Sequence, residues 1–83
     1  GYRLYKVDVY AVNDYTQRYT KYYSYDQATP YVDIFWTNLI GNINYRFDLY
    51  WRNGAGLEKY QTVYRTPGRY GVKETWWNWW TYY

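Results

Sequence analysis

The chain contains no cysteine, no histidine and no methionine, and only two prolines and six glycines among its 83 residues. Each absence closes a route to function. Without cysteine there is no disulfide framework and no thiol nucleophile, and with histidine also missing no zinc site of the Cys/His kind can be built. The one serine, Ser24, has no histidine to take its proton, so serine-type hydrolysis is closed. The glycines stand singly or as GAG in a turn, and no phosphate-cradling loop is formed. Asn13-Asp14 lacks the recurring acidic spacing of a calcium loop. Long apolar runs are missing too: the longest, VYAV at 9–12, falls far short of the roughly 20 residues that a membrane-spanning helix needs. The expectation is a protein that is not an enzyme, uses no cofactor or metal, and does not cross a bilayer by helix.

Aromatic residues are abundant instead: six tryptophans, sixteen tyrosines and two phenylalanines, 29% of the chain. A chain of this length folds as one domain, spanning residues 1–83, and hides only about 60 to 65% of its surface. Rings that bury roughly 150 to 250 Å² each are therefore the natural stabiliser. Tyrosine can cover its ring and keep its hydroxyl wet, so a mean hydropathy of -0.87 is compatible with a packed core. There are nonetheless more rings here than so small an interior can hold, and the surplus is expected at the surface.

Ten Lys and Arg against seven Asp and Glu give a net charge of +3. The cations are interleaved singly and never form a basic arm. The balance fits ordinary solubility or attraction to an anionic partner such as an envelope polymer, an anionic lipid or a nucleic acid. The chain begins at Gly1 without methionine, which suggests a removed leader and hence secretion.

Alternation with a period of two dominates the pattern. In INYRFDLYWR, Ile43, Tyr45, Phe47, Leu49 and Trp51 fall on one face and Asn44, Arg46, Asp48 and Arg52 on the other. In YVDIFWTNLI, Val32, Ile34 and Trp36 oppose Phe35 and Leu39, so both faces are candidates for burial. Gly41-Asn42 between these segments predicts a central hairpin, which would make Asp33 and Asp48 neighbours, a pairing that glycoside chemistry could use. Against that chemistry, Asp48 shares its face with Arg46, and so small a domain has little room for a sheltering cleft. Near the start, Tyr5, Val7, Val9 and Ala11 share a face opposite Lys6 and Asp8, and Asn13-Asp14 turns the chain into the next strand. Asn53 to Gly56 predicts a turn, Pro67-Gly68 another, and 26–30 (DQATP) the main loop, with Thr29 held extended by the proline after it. About six strands and no helix are expected, arranged as an antiparallel sandwich or a partly closed barrel. Trp36, Trp51, Phe47 and Ile34 are assigned to the core.

The chain closes on TWWNWWTYY, residues 75–83. On a strand, Trp76, Trp80 and Tyr82 share one parity and Trp77, Trp79 and Tyr83 the other, so rings occupy both faces. One set can enter the core; the other can be covered by a neighbouring strand or can form a surface for a ligand or membrane. Asn78 and Thr81 interrupt the rings and favour the surface reading. The candidate binding residues are Trp77, Trp79 and Tyr83 as anchors, with Arg65, Arg69 and Lys73 supplying long-range attraction. Sugars stack on such rings, and anionic membranes meet Trp and Tyr at the headgroup level. Nucleic acid fits less well, because the charge is modest and no RNP-like pattern is present. The sequence thus points to a secreted, cationic, bacteriocin-like protein that binds a target cell envelope, either at a glycan or at an anionic membrane surface, and impairs the cell. The alternative is a carbohydrate-binding protein or module that uses the same rings without killing.

Overall fold

The computed structural model describes residues 1–24, 29–78 and 80. Six strands follow one another, β1 (Tyr2–Ala11), β2 (Asp14–Tyr22), β3 (Tyr31–Trp36), β4 (Tyr45–Asn53), β5 (Glu58–Arg65) and β6 (Val72–Trp77). The described residues include no helix, and so none long and apolar enough to cross a membrane. All pairings are antiparallel. One sheet has the order β2-β1-β4-β5, the other consists of β3 and β6, and neither closes into a barrel.

The core lies between the sheets and follows the alternation of the strands. Phe47, Leu49 and Trp51 of β4 and Val7 and Val9 of β1 meet Val32, Ile34 and Trp36 of β3 and Val72 and Trp76 of β6. Phe47 sits edge-on to both Trp36 and Trp76, with ring centroids 6.3 and 5.1 Å away, the geometry that ring quadrupoles favour. Trp36, Trp51, Phe47 and Ile34 are all buried, as the alternation indicates.

Tyr5 departs from its expected face. The register between β1 and β4 slips between Leu4 and Lys6, leaving Tyr5 as an extra residue. Such a bulge reverses parity, so Leu4 takes the core position in phase with Val7 and Val9. Tyr5 instead packs against Tyr50, a residue of the outer face.

The expected hairpin of 31–40 with 43–52 does not form. β3 pairs with β6, and β4 lies in the other sheet between β1 and β5. Asp33 and Asp48 are therefore on separate sheets, and the neighbouring-carboxylate arrangement is lost. Gly41-Asn42 is a crossover corner in which Asn42 has φ 64° and donates its N–H to the Pro67 carbonyl at 3.0 Å. Pro67-Gly68 belongs to the second crossover, from β5 to β6, and the chain reverses over Gly68 to Gly71. The Asn53 turn does join paired strands: its side-chain Oδ1 accepts from the N–H groups of Ala55 and Leu57 at 3.0 and 2.9 Å. The first reversal falls at Val12-Asn13, one residue before the expected place. Most of the loop expected at 26–30 lies outside the described residues; Thr29 and Pro30 are in no strand.

Candidate functional site

Among the described residues the second sheet has two strands and one covered face, so every second residue of β3 and β6 points away from the core. Cross-strand partners on that outer face are Tyr31 with Trp77, Asp33 with Thr75, and Phe35 with Lys73. The Tyr31 and Trp77 rings lie 5.1 Å apart at 43°, and the side chains remain 39% and 47% exposed. At the centre the Thr75 hydroxyl donates to Asp33 Oδ1 at 2.6 Å. At the far end Phe35 is 59% exposed, with the Lys73 ammonium 5.8 Å from its centroid. Strand rise sets the two aromatic stations roughly 13 Å apart, four residues along β3. Beside this row lies a shallow hollow of about 470 Å³ lined by Asp33, Phe35, Lys73 and Thr75 among others. Two ring stations separated by a carboxylate, a hydroxyl and an ammonium form a long platform that offers stacking and hydrogen bonding together.

Of the six residues proposed from sequence, this platform unites Trp77 and Lys73. Trp79 and Tyr83 lie outside the described residues. Arg69 is exposed on the reversal before β6, next to the exposed Tyr70. Arg65 is at the seam between β5 and β6, bonded through both Nε and Nη2 to the Glu74 carboxylate at 2.8 and 3.0 Å, with its guanidinium 5.5 Å from the Trp76 ring. That fork holds the Glu74 carboxyl below its ordinary value. Parity places Trp76 in the core, while Trp80 lies beyond the end of β6, edge-on to Trp51 at 5.9 Å. Asn78 is buried rather than marking an exposed break, and its N–H donates to the Pro30 carbonyl at 2.9 Å. Sequence reasoning missed Tyr31, Asp33, Phe35 and Thr75 as platform residues. The alternation that set Phe35 opposite Ile34 was the available signal; the exposure of that face depends on β3 being in the small sheet.

The outer face of the four-stranded sheet also carries rings and charges, but they are largely tied to one another. Asp8, 1% exposed, accepts from Arg18 and Thr20 at 2.6 Å each. Burial raises its pKa, and the Thr20 and Arg18 hydrogen bonds outweigh burial to leave it lowered. Arg46 binds Asp48 at 2.8 Å. Glu58 accepts from Tyr60, Arg52 and Tyr5 at 2.7, 3.0 and 2.8 Å, and these three donors, Tyr60 foremost, hold its carboxyl at about 2. Four arginines are thus in ion pairs, whereas Lys21, Lys59, Arg69 and Lys73 form none among the described residues.

The lowered carboxyls of Asp8, Glu58 and Glu74 have a pH consequence. Each contributes stability that is present above the ordinary carboxyl value near 4 and is lost as pH falls through the folded value. The thermal midpoint is expected to hold between pH 7 and 5 and to fall from about pH 4 towards 2. Thermal unfolding followed by circular dichroism across that range checks this; an unchanged midpoint at pH 2 contradicts it.

No metal-binding group of three or more acidic, His or Cys side chains occurs among the described residues. No family model matches the chain, and no curated protein and no solved structure matches it either.

Proposed function

We propose that the protein is a non-catalytic glycan-binding protein, secreted and directed at a cell envelope, whose platform on β3 and β6 receives an extended sugar chain. The observation that carries this reading is the row of half-exposed rings at both ends of the platform with Asp33 and Thr75 between them. The negative face of an aromatic ring stacks on the C–H face of a pyranose, while the hydroxyls around the sugar's rim bond to carboxylate and hydroxyl groups. A membrane surface is the weaker partner. Lys73 stands beside the rings, but the Asp33 carboxylate at the centre of the same face would meet an anionic headgroup layer with like charge, and Arg18, Arg46, Arg52 and Arg65 are occupied by carboxylates. Growth inhibition follows where the bound glycan is a polymer that a target cell must remodel.

The test compares binding to purified cell-wall polysaccharides with leakage from anionic vesicles, for the native chain and for Trp77→Ala. Saturable polysaccharide binding without leakage is expected. Because Trp77 is half-exposed, its truncation should keep the melting midpoint within a few degrees and weaken binding by about thirtyfold, the factor for roughly 2 kcal/mol at an aromatic anchor. Leakage without polysaccharide binding supports the membrane instead, and a Trp77→Ala chain that binds normally removes the platform from the account.

A further inference from the structure

The two sides of the sandwich are closed differently. At the β5–β6 side, side chains stitch the sheets together: Gln61 Nε2 donates to the Trp77 carbonyl at 3.1 Å, and Arg65 holds Glu74. At the opposite side β2 overhangs. Tyr19 and Lys21 are paired with Val9 and Val7, so they face the same way as those core residues, yet both are exposed. The two-stranded sheet stops at β3 and does not reach them. The result is an open cleft of about 520 Å³ between 18–21 of β2 and 35–38 at the end of β3.

The chemistry of this cleft is specific. Its lining includes Tyr19 and Phe35, the polar residues Thr37 and Asn38, and the cation Lys21, with no carboxylate among the described lining residues. Arg18 borders it too, but its guanidinium is turned to the opposite face of β2, where it binds Asp8. Lys21 forms no ion pair among the described residues, and its ammonium lies 5.2 Å from the centroid of the Tyr23 ring. Phe35 lines both this cleft and the hollow on the platform. A chain lying along Tyr31, Asp33 and Phe35 therefore continues over Phe35 into a positively charged slot.

We infer, on the basis of the platform reading above, that the ligand is an acidic glycan: its sugar rings lie on β3 and β6, and a carboxylate or phosphate that it carries enters the β2–β3 cleft beside Lys21. Electrostatic complementarity of this kind selects partners more than it adds raw affinity, and it weakens with salt. The cleft therefore discriminates charged from neutral polymers of one backbone.

Matched probes test this. Polygalacturonate is compared with its fully methyl-esterified, neutral form, and bacterial cell walls are compared before and after removal of their phosphate polymer. The native chain is expected to bind the charged member of at least one pair about tenfold more tightly, and the pair that responds tells carboxylate from phosphate. Lys21→Glu should abolish that preference and leave binding to the neutral member unchanged, and Lys21→Gln should do so in part. Both changes are on an exposed side chain, and matching melting midpoints confirm the fold. Equal binding of charged and neutral members overturns the cleft and leaves the platform standing. A preference that survives Lys21→Glu places the anion elsewhere and also overturns it. Failure of every polymer to bind removes the platform, and this inference falls with it.

Discussion

Replacing Trp51 by alanine is expected to lower the melting midpoint by roughly 15 to 40 °C, enough to leave much of the chain unfolded at room temperature. Trp51 is fully buried, and its role is double. Its ring fills the end of the core next to Trp80, and its indole N–H donates to Gln61 Oε1 at 3.0 Å. Gln61, itself buried, passes the connection on through Nε2 to the Trp77 carbonyl. Truncation of a core aromatic costs about 3 to 5 kcal/mol, while a domain of this size has only about 4 to 12 kcal/mol in all. Trp51→Phe separates the two roles. It keeps most of the volume and strands the Gln61 carbonyl, for an expected loss of about 1 to 3 kcal/mol. Denaturant unfolding of both variants checks the order; a Trp51→Ala chain within about 1 kcal/mol of the native protein would contradict the assignment.

Gly71→Ala is expected to be the second most damaging change, at about 2 to 4 kcal/mol, or roughly 10 to 30 °C in midpoint. Gly71 has φ 80°, where an L side chain is strained. A Cβ there would overlap the Trp36 carbonyl oxygen and lie 2.9 Å from the Thr37 Cα. Both are backbone atoms of the corner that leaves β3, so no rotamer change can make room. Gly68 begins the same reversal with nothing within 4 Å of a would-be Cβ and no positive φ. Gly68→Ala is thus the control, neutral or stabilising by up to about 1 kcal/mol through the unfolded state. Equal losses at the two positions would mean that the β3 corner does not press on Gly71 as described.

Much of this architecture is legible in the order of residues, and the parts that are not have identifiable causes. Alternation shows β4 clearly because both its neighbours are strands and only one of its faces meets the core. The same rule misassigns Tyr5, since a single extra residue reverses parity and the bulge has no glycine to announce it. Gly41-Asn42 has the composition of a hairpin turn, but turn chemistry reports a reversal of the chain and says nothing of which sheet the next strand joins. β3 finds β6 across 35 intervening positions because Val32, Ile34 and Trp36 need Val72 and Trp76 beside them over Phe47. The candidate site shows the same division. The parity of the closing segment separates Trp76, in the core, from Trp77, at the surface. Tyr31, Asp33 and Phe35 join Trp77 only through the β3–β6 pairing, which no local pattern encodes. Arg65 reads in sequence as one of the cations; its capture by Glu74 is a tertiary fact.

The surplus of rings also gains a location. Tyr15, Tyr22, Tyr60, Tyr64 and Tyr70 remain exposed along the strands and turns, but the carboxylates, hydroxyls and cations of the four-stranded face are bonded chiefly to each other. On β3 and β6 the aromatic stations flank polar groups that a sugar's rim can reach, and Lys73 is in no ion pair among the described residues.

The most direct test is a nuclear magnetic resonance titration of nitrogen-labelled protein with soluble cell-wall glycan fragments, following the backbone amides and the tryptophan indoles. Saturating shifts are expected at Tyr31, Asp33, Phe35, Lys73, Thr75 and the Trp77 indole, with little change at the buried Trp51. Shifts confined to the face carrying Tyr10, Tyr60 and Tyr64, or none with any fragment at millimolar concentration, would contradict the platform.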